Sequence, residues 1–248
     1  MMSGALSSLF GTVRPATRPT PTTLITNVGN STGGVAPGNT VTSGSAITGI
    51  AVGDTIISVC NAVPTGNGTP TITFGFVNSP VLNTIYSANW NTPTTANGSG
   101  IINSIRIDKV ISLASSSTTS SVTFSASTTE GLLRTFVFRG VSGLVGTPTI
   151  ISSDSSTGYP STLLPCLDGD LAFGLYASGP PKPALPSFPS STLNGTWSNA
   201  QFTAPSSTLL QSFRSYKITA GGNGNQDVFY TQASAVPNSG ISFILGPA

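Results

Sequence analysis

The stretch Gly53-Asp54-Thr55-Ile56-Ile57-Ser58-Val59-Cys60 has a near copy at Gly169-Asp170-Leu171-Ala172-Phe173-Gly174-Leu175-Tyr176. Each sets a turn dipeptide before an apolar run of strand length, which reads as a buried strand. Further landmarks recur on either side. The first copy continues through Trp90, Arg106-Ile107-Asp108-Lys109, Phe124 and Phe138, and the second through Trp197, Arg214-Ser215-Tyr216-Lys217, Phe229 and Phe243. Copies are offset by 116 residues at the glycines, 107 at the tryptophans and 108 at the arginines. A period of about 110 residues is domain-sized and far longer than a solenoid repeat. The expectation is two related domains, residues 23–145 and 146–248, preceded by an arm over residues 1–22.

Composition sets the fold class. Charged residues are 6% of the 248, against about 25% in an ordinary domain. Serine and threonine together number 72, with 28 glycines and 19 prolines. Hydrophobic residues, at 38%, are too many for a disordered chain. That mixture predicts many short strands joined by Gly, Pro and Asn turns, such as Asn67-Gly68, Asn97-Gly98 and Asn194-Gly195. Ile72, Phe74 and Phe76 alternate onto one face, as do Ile105, Ile107 and Ile111, while the denser Leu132–Phe138 reads as a central strand. No helical period holds past residue 10. The expected class is all-β: two tandem β-sandwich (jelly-roll or Ig-like) domains behind an extended N-terminal arm.

The arm differs from the rest. Leu6, Leu9 and Phe10 form a short apolar patch, followed by Arg14-Pro15 and Arg18-Pro19. Proline holds the residue before it in extended geometry and supplies no ladder N–H. Leu6, Leu9, Phe10, Arg14 and Arg18 are therefore the candidate partner-binding residues, as a docking arm. The first ten residues lack a basic leader and a long apolar core, so they make a poor secretory signal. No eighteen-residue apolar run predicts a membrane span.

The available chemistry is sparse. Without histidine there is no Ser-His-Asp or Cys-His catalysis and no imidazole metal site. The seven acids are scattered, and Asp168-Gly169-Asp170 lacks the further oxygen ligands that calcium requires. Gly-Asp before an apolar strand in both copies reads as a turn, Lys109 and Lys217 as strand-end lysines with packed stems, and Trp90 and Trp197 as repeated core positions. Cys60 and Cys166 occupy unlike places in the two copies, which predicts two buried free thiols. A net charge of +2 gives no footprint for nucleic acid. The expectation is a protein that is not an enzyme, with no catalytic residues, no cofactor and no metal.

The order Gly-Asp54, Trp90, the Arg/Lys strand, Phe136-Val137-Phe138-Arg139-Gly140-Val141, then Gly-Asp170 and the closing Leu245-Gly246-Pro247-Ala248 resembles the tandem β-sandwich proteins of tailed bacteriophages and prophages. The resemblance covers roughly residues 40–248. It implies a virion or surface component and carries over no catalytic residue. The leading expectation is a capsid decoration or cement protein, made in the host cytoplasm and located on the capsid surface. Its partners would be the major capsid protein and itself, as a homotrimer, with neither nucleic acid nor membrane. The alternatives are a tail-fibre or adhesin module that binds host glycans through Trp90, Trp197 and the Asn/Ser/Thr loops, and a jelly-roll coat protein.

Overall fold

The computed structural model describes residues 23–35, 38–66, 69–92, 100–179, 198–202, 211–219 and 224–248. These residues contain strands and no helix. The predicted all-β class holds. The expected arm, residues 1–22, lies outside the described residues, as does Trp197.

The strands are β1 (Thr26–Val35), β2 (Gly38–Thr42), β3 (Ile47–Thr48), β4 (Thr55–Pro64), β5 (Ile72–Phe76), β6 (Val81–Asn91), β7 (Ile102–Ser112), β8 (Ser117–Thr118) and β9 (Ser120–Arg139). They continue as β10 (Val141–Cys166), β11 (Leu171–Ser178), β12 (Ser198–Phe202), β13 (Gln211–Ile218) and β14 (Gly224–Pro247). β4 and β11, the two runs that follow Gly-Asp, are buried along their whole length. A strand covered on both faces reads as a continuous apolar run, and this is why those two stretches stand out in the sequence.

The repeat is a repeat of topology. The first sheet runs β1-β9-β4-β7-β6 and the second β10-β14-β11-β13-β12, with every pair antiparallel. Long strands then curl out of both sheets. The first part of β9 leaves β1 and β4 and pairs with β2 and β5 instead. Phe124 and Val122 thereby cover Cys60, Ala62 and Leu133 on the outer face of the first sheet. Thr135 donates a 2.7 Å hydrogen bond to Ser120 of the same strand, which fixes the fold-back. Gly131 permits it, since a Cβ there would meet Val41 at 3.0 Å and the Phe124 ring at 3.2 Å. In the second sheet Leu164 and Cys166 of β10 and Val228 of β14 cover Ala172, Tyr176 and Ile244 in the same manner.

Strand register corrects part of the sequence alignment of the copies. Ile57 and Phe173 each stand four residues after their Gly-Asp glycine. Ile57 pairs with Ile107 and Phe136, and Phe173 with Tyr216 and Phe243. Phe243 therefore answers to Phe136, two residues along from Phe138 but on the same face. Tyr216 answers to Ile107, so Arg214 answers to Ile105 and not to Arg106. The two Arg-x-x-Lys stretches are one residue out of step, and a one-residue slip exchanges the faces of a strand. Their likeness is not a shared structural position.

The inner faces of the two sheets meet in one apolar core containing Ile57, Val59, Ile105, Ile107, Phe136 and Phe138 from the first, with Leu171, Phe173, Leu175, Ile241, Phe243 and Leu245 from the second. Phe136 meets Phe173 edge-on, with centroids 5.3 Å apart, and Phe138 meets Tyr216 likewise at 5.3 Å. Thus β9 lies over β4's counterpart β11 and over β13, while β6 adjoins β10. The strand orders run in opposite senses, as a two-fold axis along the strands and between the sheets requires. Gly140 alone joins β9 to β10, and its carbonyl accepts the Ala248 N–H at 2.8 Å. That short link brings both Gly-Asp turns to the same end of the molecule.

Candidate functional site

The two Gly-Asp turns share one construction. Gly53 and Gly169 have φ of 88° and 80°, a region open to glycine at little cost. The Asp54 carboxylate accepts the Ala51 N–H at 2.8 Å, and that of Asp170 accepts the Leu167 N–H at 2.8 Å. The Asp54 and Asp170 N–H groups donate back to the Ala51 and Leu167 carbonyls, each at 3.1 Å. Their own carbonyls accept from Val110 at 2.9 Å and Thr219 at 2.8 Å. Both aspartates are buried. The motif is a turn entering a strand, as its sequence indicates.

At the first turn Arg139 closes on Asp54, with Nε 2.9 Å from Oδ1 and Nη2 2.8 Å from Oδ2. Nη2 also donates to the Gly49 carbonyl at 2.8 Å. This two-pronged pairing holds the guanidinium charged, its pKa raised first by the Asp54 hydrogen bond and then by that carboxylate's charge. The position answering to Arg139 in the second sheet is Gly246. Nearby, Lys109 projects from the inner face of β7 and donates to the Val141 carbonyl, with Thr55 Oγ1 at 3.5 Å. It ties the end of the first sheet to the start of the second. Burial lowers its pKa from the usual lysine value, against the opposing charge of Asp54.

The other prominent polar residues are also engaged in structure. Arg106 binds Asp108 at 2.6 Å and lies 5.7 Å and 5.6 Å from the ring centres of Phe74 and Phe76. Thr84 donates to the same Asp108 at 2.7 Å. Asn61 donates to Asn103 at 2.7 Å, and Asn103 to the Trp90 carbonyl at 3.1 Å. Trp90 is packed into the core between the sheets. Cys60 and Cys166 are buried thiols in separate clusters and form no disulfide. Among the described residues no three His, Cys, Asp or Glu side chains gather as a metal site would require.

Burial pushes the Cys60 thiol far above its usual 9.0. The native state then keeps a proton that the unfolded chain releases above about pH 9, so stability falls as pH rises beyond that point. The loss is about 1.4 kcal/mol per pH unit. Tyr86, its phenol also raised by burial, acts in the same direction above pH 10.0, and the lowered Lys109 acts in the opposite one. Urea unfolding of the wild type and Cys60→Ala between pH 8 and 11 is expected to show the steeper alkaline loss only with Cys60 present. Parallel curves would refute it.

Seven large hydrophobic side chains are exposed among the described residues: Leu24, Val52, Val77, Val81, Ile111, Ile150 and Leu163. Leu24 precedes β1, and its carbonyl would stand 2.5 Å from a Cβ placed on Gly140. Val52 belongs to the Ala51–Asp54 turn, and the Gly53 N–H donates to Val110, next to Ile111, at 2.9 Å. Val81 pairs with Ser112. The Val77 carbonyl accepts the Thr118 hydroxyl at 2.7 Å, beside the Ser116 carbonyl that accepts the Ile50 N–H at 3.0 Å.

The candidate arm residues Leu6, Leu9, Phe10, Arg14 and Arg18 all lie outside the described residues. Sequence reasoning missed these exposed side chains. Ile111 shares strand parity with the buried Ile105 and Ile107 but is itself 51% exposed, and Val52 carries no periodic signal. Comparison with protein-family models, with curated proteins and with solved structures gave no match.

Proposed function

We propose that the protein is a structural component of a phage virion, of the capsid decoration or cement type. Its two halves serve as related sandwich units, each a main sheet with a long ladder curled over its outer face. The observation that carries this reading is that the repeated Gly-Asp turns bind their own backbone in the same way in both halves. In both copies the recurring carboxylate is engaged in building its own turn. The Phe138-Arg139-Gly140-Val141 motif, on which the phage resemblance rests, also has a structural office. Arg139 clamps the first turn and Gly140 makes the crossing between sheets.

In this reading Leu6, Leu9 and Phe10 fill apolar gaps between major capsid subunits, and Arg14 and Arg18 pair with shell carboxylates. The body adds contacts of its own, and linking two weak sites raises their joint affinity. Three copies around a local axis would complete the assembly. The glycan-binding alternative loses support, because Trp90 is buried and cannot stack on a sugar.

Quantitative mass analysis of purified particles tests the proposal. Hundreds of copies per virion are expected. A handful would place the protein in the tail, and none would overturn the virion assignment. Removing residues 1–22 is expected to abolish particle binding while leaving the strand signature in circular dichroism.

A further inference from the structure

β5 and β6 are consecutive, joined by Val77, Asn78, Ser79 and Pro80, yet each pairs elsewhere. β5 stays in the outer layer beside the first part of β9, and β6 joins the main sheet beside β7. The Val77 N–H donates to the Thr119 carbonyl at 2.8 Å, and the Thr71 carbonyl accepts the Ser125 N–H at 3.0 Å. Backbone groups alternate in direction along an antiparallel strand. Thr71, Thr73, Gly75 and Val77 therefore turn theirs toward β9, and Ile72, Phe74 and Phe76 turn theirs away. The Phe76 carbonyl accepts the Ser79 N–H at 3.3 Å. Among the described residues nothing pairs with the other groups on that edge, the three N–H groups and the Ile72 and Phe74 carbonyls. The side chains of Ile72, Phe74 and Phe76 pack down on the outer face of the first sheet. There Arg106 lies within 5.7 Å of both phenylalanine ring centres. Its Nε is bound to Asp108 at 2.6 Å, while its terminal Nη groups make no hydrogen bond among the described residues. Beyond it on β6 stand Ser87, opposite Arg106, and Thr84, opposite Asp108, both exposed.

We propose that the open edge of β5 docks an extended acidic peptide segment of a partner protein, which adds a strand beside β5 and sets a carboxylate against Arg106. An unpaired strand edge is a template for another strand. Strand addition draws affinity from main-chain hydrogen bonds and selectivity from every second side chain. Donors and acceptors alternating at strand spacing match an extended peptide and neither a sugar nor a nucleotide. Side chains of the added strand that share the face of Phe74 and Phe76 point toward Arg106, Thr84 and Ser87. The two Nη groups present the spacing of a carboxylate's oxygens. Asp108 is buried on the Nε side, where it also accepts the Thr84 hydroxyl at 2.7 Å, so it orients the guanidinium. A second copy of the chain is a poorer occupant. Neither β5 nor β6 carries an acid, so pairing either edge with itself would leave Arg106 without a carboxylate. The site does not rest on the virion assignment.

The test uses the full chain and the capped peptide Thr-Val-Thr-Glu-Thr-Val-Thr, with binding read from backbone amide resonances. Saturable shifts at Ile72, Phe74 and Phe76 are expected at millimolar peptide. Replacing the peptide's glutamate by glutamine is expected to weaken binding about tenfold, the loss of one charge-assisted hydrogen bond. With Arg106→Gln the two peptides are expected to bind alike. Methylating the backbone nitrogens of the valines and the glutamate, which face β5 when the glutamate faces Arg106, is expected to abolish binding. Methylating the two threonines beside the glutamate is expected to spare it. These peptide comparisons on the wild type keep the test decisive if Arg106→Gln fails to fold. Absence of shifts at β5 would overturn the proposal. Equal binding of the glutamate and glutamine peptides would overturn the acidic partner, and equal binding of the two methylated peptides would overturn strand addition.

Discussion

Phe173→Ala is expected to destabilise the protein by about 3–5 kcal/mol in urea unfolding, the usual cost of emptying a buried phenylalanine site. Phe173 is wholly buried. Its ring meets Phe136 of the first sheet edge-on at 5.3 Å and stacks on Phe243 of its own sheet at 4.9 Å. Aromatic pairs of this kind add about 0.5–1.5 kcal/mol each to the loss from area alone. Because the cavity opens between the sheets, both halves are expected to lose stability in a single transition. Two transitions, with only the second-half signal shifted, would show that the halves fold independently. A loss below about 1 kcal/mol would mean that the shared core relaxes to fill the gap.

Asp54→Ala is expected to cost about 2–3 kcal/mol. The carboxylate is buried, accepts the Ala51 N–H at 2.8 Å and receives both prongs of Arg139. Removing one partner of a buried pair costs about 3–5 kcal/mol when the other charge is trapped. Arg139 is not trapped, because its side chain is 47% exposed and water can solvate it again. The estimate is reduced accordingly. Arg139→Ala is expected to cost less than Asp54→Ala, since the turn's backbone bond survives it. Thermal unfolding of the two variants checks the order. Equal losses would assign the whole effect to the ion pair and none to the turn.

Much of the architecture was legible in the sequence because it depends on local pattern. A strand covered on both faces must be apolar throughout, so β4 and β11 announce themselves. A turn needing positive φ before such a strand calls for glycine, and an aspartate can then cap the turn, so Gly-Asp was read correctly in both copies. Leu132–Phe138 reads as a central strand, and β9 does pair on both sides there, with β1 and β4. The unlike places of Cys60 and Cys166 in the two copies indicated free thiols, and both are free and buried.

Other features depend on which strand lies opposite which. Arg106 and Arg214 match in sequence, yet pair with Ser58 and Leu175, positions that differ by one step after correction for the repeat. Sequence identity carries no information on that slip, because register is set by hydrogen bonds to a partner strand. Lys109 matches a strand-end lysine by parity, but only the neighbouring sheet supplies the Val141 carbonyl that holds its amine. The exposure of Leu24, Val52, Val81 and Ile111 likewise follows from which neighbours the fold sets beside them.

The sequence by itself determined that the chain is all strand, that it contains a duplication, and that each copy begins its buried strand with a capped glycine turn. Periodicity and turn chemistry are local, and a single chain displays them. Only the tertiary structure decided that the two main sheets meet face to face in reversed order, with Phe136 and Phe173 in contact between them. It also decided that Arg139 reaches across to the first of the two turns. Those outcomes depend on the one-residue crossing at Gly140 and on pairing between residues far apart in the chain.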